Sequence, residues 1–253
     1  MIIAIASSKG GTSKSTTAWA LASYLSKDLS VLLWDADPVA TLTSSAVCDF
    51  DLTAYDILIN KEPFEKVVRP ALPAYSKNLR IVPAGNLLTG LESASAGDIE
   101  RQHILSDILG TVNDADVIII DCPAGQGILT TSALVAAETV LTPAPCQPAS
   151  FAALYDFERT VGVIRRRLNP ELRWFILPTM YSGNQRIDQD VLEAMRKRYG
   201  DLVLDPPIRK RVALQESMAA QVPCQSEDYE QATNNLIGRI TNEEEICSQR
   251  NKK

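Results

Sequence analysis

The 253-residue sequence predicts an α/β fold: one domain built on a mostly parallel, twisted β-sheet with helices on both faces. Three observations predict it. Short apolar runs alternate with longer runs of helical period along nearly the whole chain. Several of the short runs are continuously apolar, such as residues 2–5 and 117–120, as strands buried on both faces should be. The strand ends at Asp35 and Asp121 pass into proline- or glycine-bearing turns, which gathers chemistry at the carboxyl edge of a sheet.

Taken in order, residues 2–5 form a strand, a Gly/Ser-rich turn with two lysines follows, and residues 15–27 set Trp19, Leu21, Ala22 and Leu25 at helical spacing. Residues 30–34 return as a buried strand and complete a βαβ unit. That strand ends at Asp35-Ala36-Asp37-Pro38, because proline has no N–H to continue the ladder. Residues 52–60 and 63–68 read as short helices, Pro70 and Pro73 mark a surface loop, residues 79–82 a strand and 98–112 a longer helix. Residues 116–121 hold four consecutive β-branched residues closed by an acid, and 128–137 are helical. Then come a strand at 139–142, a rigid proline turn at 143–148, a long helix ending near Leu168, and a strand at 173–177 feeding the loop 178–183. Residues 187–199 are helical, 202–204 a short strand stopped by Asp205-Pro206-Pro207, and 212–220 helical. In residues 227–245, Tyr229, Leu236, Ile237 and Ile240 lie near one helical face, with Glu243, Glu244 and Glu245 where a membrane-seeking helix would be basic. This helix should pack on the domain.

Composition narrows the function. Hydrophobic residues make up 45% of the chain, ample for a core, and the net charge of −6 opposes wholesale attraction to nucleic acid or membrane. Five scattered cysteines show no zinc spacing and are expected to be reduced thiols, and the single histidine, His103, leaves no Ser-His-Asp or Cys-His pattern to build on. With no run of 18 apolar residues and a strand beginning at residue 2, the chain is expected to be cytoplasmic, without membrane partners and without an N-terminal DNA-reading module.

The turn after the first strand reads Lys9-Gly10-Gly11-Thr12-Ser13-Lys14-Ser15-Thr16. Loop and helix N–H groups there should converge on phosphate, with Lys14 adding a point charge and Ser15 an oxygen for Mg²⁺. The general pattern G-x-x-x-x-G-K-[ST] fits only at its Lys-Ser end, since its glycines fall on Ser8 and Ser13. A small-residue connection without a ligand is the alternative for that dipeptide alone. The second lysine and the double glycine make the stretch resemble the deviant Walker A box of the ParA/MinD ATPases. Asp121, ending an apolar strand before Cys122-Pro123, reads as a Walker B carboxylate reaching Mg²⁺ through water, and Asp37, counted with Ser15 and Asp121 in the metal site, lies where it can orient the attacking water.

The loop, the Asp35–Pro38 turn, the 117–123 strand and the segments 179–187 and 207–217 together resemble a short ParA-type partition ATPase over most of the chain. The resemblance implies a single P-loop domain at residues 1–246 with a frayed polar tail at 247–253, ATP and Mg²⁺ as cofactors, and adenine held near Thr179, Met180 and Pro207. It further implies that Lys9 reaches across a two-fold axis to the partner's ATP, so that Lys9, Lys14 and Asp37 carry catalysis in an ATP-sandwich homodimer. Redundancy supports this, since Lys9 would otherwise serve the same phosphates as Lys14; a solvated loop charge is the alternative. Ser13 stands where such sequences have glycine, at a cost of about 1 kcal/mol if its φ is positive. Val39 and Ala124 also depart from the family pattern. No N-K-x-D signature for guanine is present.

Residues 159–211 hold 12 Lys/Arg against 6 Asp/Glu, so the acidic total hides a basic region. Arg165, Arg166, Arg186, Arg209, Lys210 and Arg211 are the candidates for sequence-independent duplex DNA contact, with solvated helix surface as the alternative for any one of them. The expected function is an ATPase that dimerises on ATP, coats nucleoid DNA and positions or segregates a plasmid, chromosome or protein organelle until a ParB-like or cargo adaptor stimulates hydrolysis. A nucleotide-gated scaffold with negligible hydrolysis and a dethiobiotin-synthetase-like ligase on the same fold are the rival readings.

Overall fold

The computed structural model describes residues 1–92 and 99–250, with side chains described outside 92–100 and 242–250. The chain runs β1 (Ile2–Ile5), α1 (Lys14–Leu25), β2 (Val31–Asp35), α2 (Thr41–Ala46), α3 (Ala54–Leu58), α4 (Phe64–Val67), β3 (Arg69–Pro70), β4 (Leu79–Val82), α5 (Leu88–Glu92), α6 (Ile99–Gln102) and α7 (Ile104–Leu109). It continues β5 (Val117–Asp121), α8 (Ile128–Ala136), β6 (Thr139–Pro145), α9 (Pro148–Arg167), β7 (Arg173–Thr179), α10 (Arg186–Tyr199), α11 (Val212–Ala219) and α12 (Glu227–Arg250). Among the described residues one seven-stranded sheet forms, in the order β3-β4-β2-β5-β1-β6-β7, parallel except for β3.

Strand alternation sends successive side chains to opposite faces. Ala4, Leu32, Trp34, Ile118, Ile120 and Ile176 pack with α8, α9 and α10 on one side. Ile3, Ile5, Leu33, Ile119, Phe175 and Leu177 pack with α1, α11 and α12 on the other. The strands are apolar on both faces because both faces are covered. In α9 the buried residues Ala153, Leu154, Phe157, Val161 and Ile164 recur at helical spacing, Pro148 opens the first turn, and Arg165, Arg166 and Arg167 face the negative end of the helix dipole.

Several boundaries differ from the sequence reading, each for a local reason. Of the turn predicted at 143–148, residues 143–145 are instead the end of β6, 146 and 147 the connection, and Pro148 the first residue of α9. Cys146 N–H donates to Thr179 O, so by alternation Pro143 and Pro145 face the β1 side, where β1 has already ended and no donor is needed. Pro70, expected in a loop, sits in the antiparallel edge strand β3, the position where a strand tolerates proline. The single helix expected over 98–112 is two, α6 ending at Gln102 and α7 starting after His103, whose carbonyl accepts from Ser106 Oγ (2.8 Å) and Asp107 N–H (3.0 Å) as the second helix opens; Asp98 lies outside the described residues. The strand predicted at 202–204 reduces to one bridge, Val203 with Ile176, beyond which Pro206 and Pro207 offer no donors. Helices α2 and α5 are additional to those predicted. Helix α12 packs on α1 and continues to Arg250, into the segment expected to be a frayed tail, whose residues 251–253 lie outside the described ones. Among the described residues no helix is long and apolar enough to cross a membrane.

Candidate nucleotide site

The site is assembled where β1, β2 and β5 end side by side. After β1 the chain turns through Gly11 (φ 71°) and Ser13 (φ 73°, ψ 28°), and Ser13 caps the start of α1. Left-handed residues in such a turn aim successive N–H groups into one concavity, and no acidic residue in the first turn of α1 competes for them. Ser13 holds that conformation at a cost of about 1–2 kcal/mol that glycine would not incur. The loop is braced by Ser7 Oγ, 2.8 Å from Thr12 Oγ1 and donating to Lys9 O at 3.0 Å, and by Thr179 Oγ1 donating to Thr12 O at 3.5 Å.

The two lysines diverge. Lys14 is buried, and its Nζ donates inward to Lys9 O at 3.3 Å. Lys9 is exposed, and its Nζ donates to Ala149 O at 3.1 Å, in the first turn of α9. A cavity of about 120 Å³ lies between the loop and Thr142 to Pro145, and a cleft of about 1150 Å³ opens beyond Lys9 toward Gly125, Gln126, Arg159 and Arg167.

Beside the cradle, the β2–β5 register sets Asp35 directly across from Asp121, both fully buried. Asp35 Oδ1 accepts from Asp37 N–H (3.0 Å), and Oδ2 accepts from Thr43 N–H (2.9 Å) and Thr43 Oγ1 (2.7 Å). Burial still pushes its pKa up to about 6, against the pull of those donors. Asp121 is raised well above the ordinary carboxylate range, first by burial and then by the Asp35 charge, while the nearby Ser15 hydroxyl and Lys14 ammonium oppose the shift. Neither Asp121 oxygen has a hydrogen-bond donor among the described residues. An orphaned, fully buried carboxylate beside a second one, with a hydroxyl and a lysine adjacent, is a donor set that a hard divalent cation fits. Ser15 and Asp121 would hold it, and it would supply charge neutralisation at the phosphates.

Asp37 is half-buried in the exposed turn after β2, where its Oδ1 accepts from Val39 N–H at 3.0 Å; Val39 itself is 77% exposed. Met180 (φ 54°) follows the last residue of β7, and the chain on both sides of it is laced to the segment after Pro207: Ile208 N–H to Pro178 O, Tyr181 N–H to Ile208 O, and Lys210 N–H to Tyr181 O, at 2.8–3.0 Å. Both candidate adenine segments therefore share one rim.

The basic residues are not brought together. Arg186, Arg209, Lys210 and Arg211 stand at the carboxyl edge with the cradle. Arg165 and Arg166 end α9 at the opposite edge, separated from it by the length of seven-residue β7, roughly 20 Å. Arg165 is moreover occupied, its Nε donating to Leu172 O at 2.6 Å, whereas Arg166 is exposed. Thr43, Asp228 and Tyr229, which hold other site residues in place, carry no signal in the sequence that marks them as more than ordinary helix residues.

A deviant lysine loop on a parallel sheet, facing two acid-ended strands, defines a P-loop nucleoside triphosphatase. The AAA domain family matches residues 1–174. The chromosome partitioning protein ParA of Myxococcus xanthus is 34% identical over 221 residues, covering 85% of this chain and 77% of that one. The chromosome-partitioning ATPase Soj of Treponema pallidum is 32% identical over 242 residues, covering 91% and 94%. Among solved structures, cobyrinic acid a,c-diamide synthase from Mycobacterium smegmatis, with bound ADP and magnesium, superposes with a TM-score of 0.79 at 28% identity, over 93% of each chain. The chain belongs to the ParA/Soj family of partition ATPases.

Proposed function

We propose that the protein hydrolyses ATP slowly with Mg²⁺, dimerises with ATP sandwiched between two copies, and in that state binds duplex DNA without sequence preference. It thereby positions or segregates a cargo on the nucleoid, in the cytoplasm, until a ParB-like or cargo-adaptor protein stimulates hydrolysis and release. The observation that carries this reading is the left-handed cradle at Gly11 and Ser13 beside the donor-less Asp121. Loop N–H groups from Gly10 to Thr16 and the Lys14 ammonium bind phosphate oxygens; Ser15 and Asp121, flanked by Asp37, hold the cation side; Met180 and Pro207 border the base. Asp37 orients the attacking water. Lys9, exposed at the mouth of the loop, leaves Ala149 O and adds charge to the partner's nucleotide.

Steady-state phosphate release with and without duplex tests the reading, and turnover no higher than that of Asp37→Ala would overturn it in favour of a nucleotide-gated scaffold. Lys9→Ala is expected to bind nucleotide but to lose ATP-dependent dimerisation in light scattering. The likeness to a diamide synthase favours a second reading, a small-molecule ATP-dependent ligase of the dethiobiotin-synthetase kind on this fold. A salt-sensitive shift of nonspecific duplex that requires ATP decides against it.

A further inference from the structure

The stretch from Arg209 to Arg211 is extended, with Tyr181 bridged to Arg209 and Lys210 N–H donating to Tyr181 O at 2.9 Å. Alternation then puts Arg209 and Arg211 on one side and Lys210 on the other. The side shared by the two arginines meets the first turn of α12. There Asp228, only 7% exposed, accepts from Arg209 N–H at 3.2 Å. Its Oδ2 lies 3.5 Å from the Arg211 guanidinium and its Oδ1 4.0 Å from that of Arg209. The two guanidinium side chains are 43% and 65% exposed, so these pairs are weak and open to exchange. The next residue, Tyr229, is buried and shares a 3.1 Å hydrogen bond with Thr17 Oγ1, on α1 three residues past Lys14. One turn of helix thus touches the basic segment with one residue and the phosphate-binding helix with the following one.

We propose that Asp228 is an internal stand-in for a nucleic-acid phosphate, holding Arg209 and Arg211 until the backbone of duplex DNA replaces it. The Tyr229–Thr17 contact ties that exchange to α1, so that filling the phosphate cradle loosens the hold. This rests on the reading of the chain as a duplex-binding ATPase. The competition is electrostatic: a carboxylate among two guanidiniums cancels half of the charge they offer a phosphate. Lys210, on the opposite side, takes no part.

The test is fluorescence anisotropy of a labelled nonspecific duplex with the full chain, without nucleotide, with ADP and with ATP and Mg²⁺. Asp228→Asn keeps an acceptor for Arg209 N–H but removes the charge, and is expected to bind duplex about fivefold tighter than wild type without nucleotide, with a smaller further gain on ATP. Asp228→Glu should behave as wild type, and Asp228→Ser gives a second charge-free variant should the asparagine protein melt early. Tyr229→Phe, which loses only the hydroxyl, should shrink the ATP-dependent gain. Nucleotide-free binding by the charge-free variants that is unchanged or weaker, while wild type with ATP binds, overturns the role of Asp228 and leaves the duplex reading intact. Wild type with ATP that shows no salt-sensitive binding overturns the duplex reading itself, and the inference with it.

Discussion

Replacing Thr43 by valine removes one hydroxyl, which takes one of three donors from the buried Asp35 carboxylate and orphans one buried backbone N–H. That hydroxyl donates to Asp35 Oδ2 at 2.7 Å and accepts from Ala84 N–H at 2.8 Å. The lost bond to a carboxylate is worth roughly 1.5–3 kcal/mol, and the orphaned backbone N–H costs roughly 1–3 kcal/mol more. Valine fills the same volume, so no cavity is added and the expected loss is about 4 kcal/mol. The loss should also depend on pH. Asp35 titrates at about 6 in the folded protein against 3.8 ordinarily, with the Thr43 hydroxyl foremost among the groups holding it down. A folded carboxyl with a raised pKa keeps a proton that the unfolded chain has released, so stability falls as pH rises from 3.8 through the folded value. In the wild type that fall is about 3 kcal/mol, from about 2 pH units at 1.36 kcal/mol each. Without the hydroxyl the folded pKa climbs further, and the gap between wild type and variant should widen from pH 5 to pH 8. Urea denaturation in EDTA at pH 5, 6.5 and 8 measures it. A gap under about 1 kcal/mol at pH 8, or one that does not widen, would refute the placement of Thr43 as the support of Asp35.

Asp121→Asn removes a buried carboxyl that has no donor and a raised pKa, so the metal-free variant should melt above wild type at pH 8, with an advantage that shrinks as the pH falls toward the ordinary carboxylate range; calorimetry in EDTA showing a lower Tm at pH 8 would contradict it. The same variant should lose any rise in Tm that Mg²⁺ gives the wild type. Ser13→Gly relieves about 1–2 kcal/mol of left-handed strain but adds about 0.4–1 kcal/mol of unfolded-chain entropy, so it should be between neutral and about 1.5 kcal/mol more stable than wild type, whereas Ser13→Val should lose about 2 kcal/mol in denaturant titration. Arg165→Ala should cost about 1 kcal/mol of stability through its lost bond to Leu172 O, and Arg166→Ala less than about 0.5 kcal/mol; equal effects would show that neighbouring position, not the bond, decides.

The cradle was legible in the sequence because backbone chemistry wrote it: Gly11 at a left-handed position, Lys14 at the helix start and acids closing two apolar strands are local demands. Ser13 was legible as a strain, and its φ of 73° bears that out. Thr43 was not, because its role depends on how α2 seats eight residues beyond Asp35, and nothing near it in the chain encodes that distance. Arg165 and Arg166 look equivalent as letters, yet the close of α9 against Leu172 ties one down and leaves the other in solvent. Likewise the run Arg209-Lys210-Arg211 reads as one patch, and an extended backbone splits it two to one. The end of β6 was misread because proline signals a break wherever a donor is needed, and here none was.

Those two prolines also limit how other chains can approach. A strand that outruns its neighbour normally bares a row of N–H groups, which an extended segment of another molecule can join. Pro143 and Pro145 strip the donors from that row where it borders the phosphate cavity. A visiting strand would find acceptors with nothing to complete the ladder. Whatever docks at this rim must therefore be read by side chains and loop amides, so its identity can be changed by single surface substitutions without redesigning the sheet.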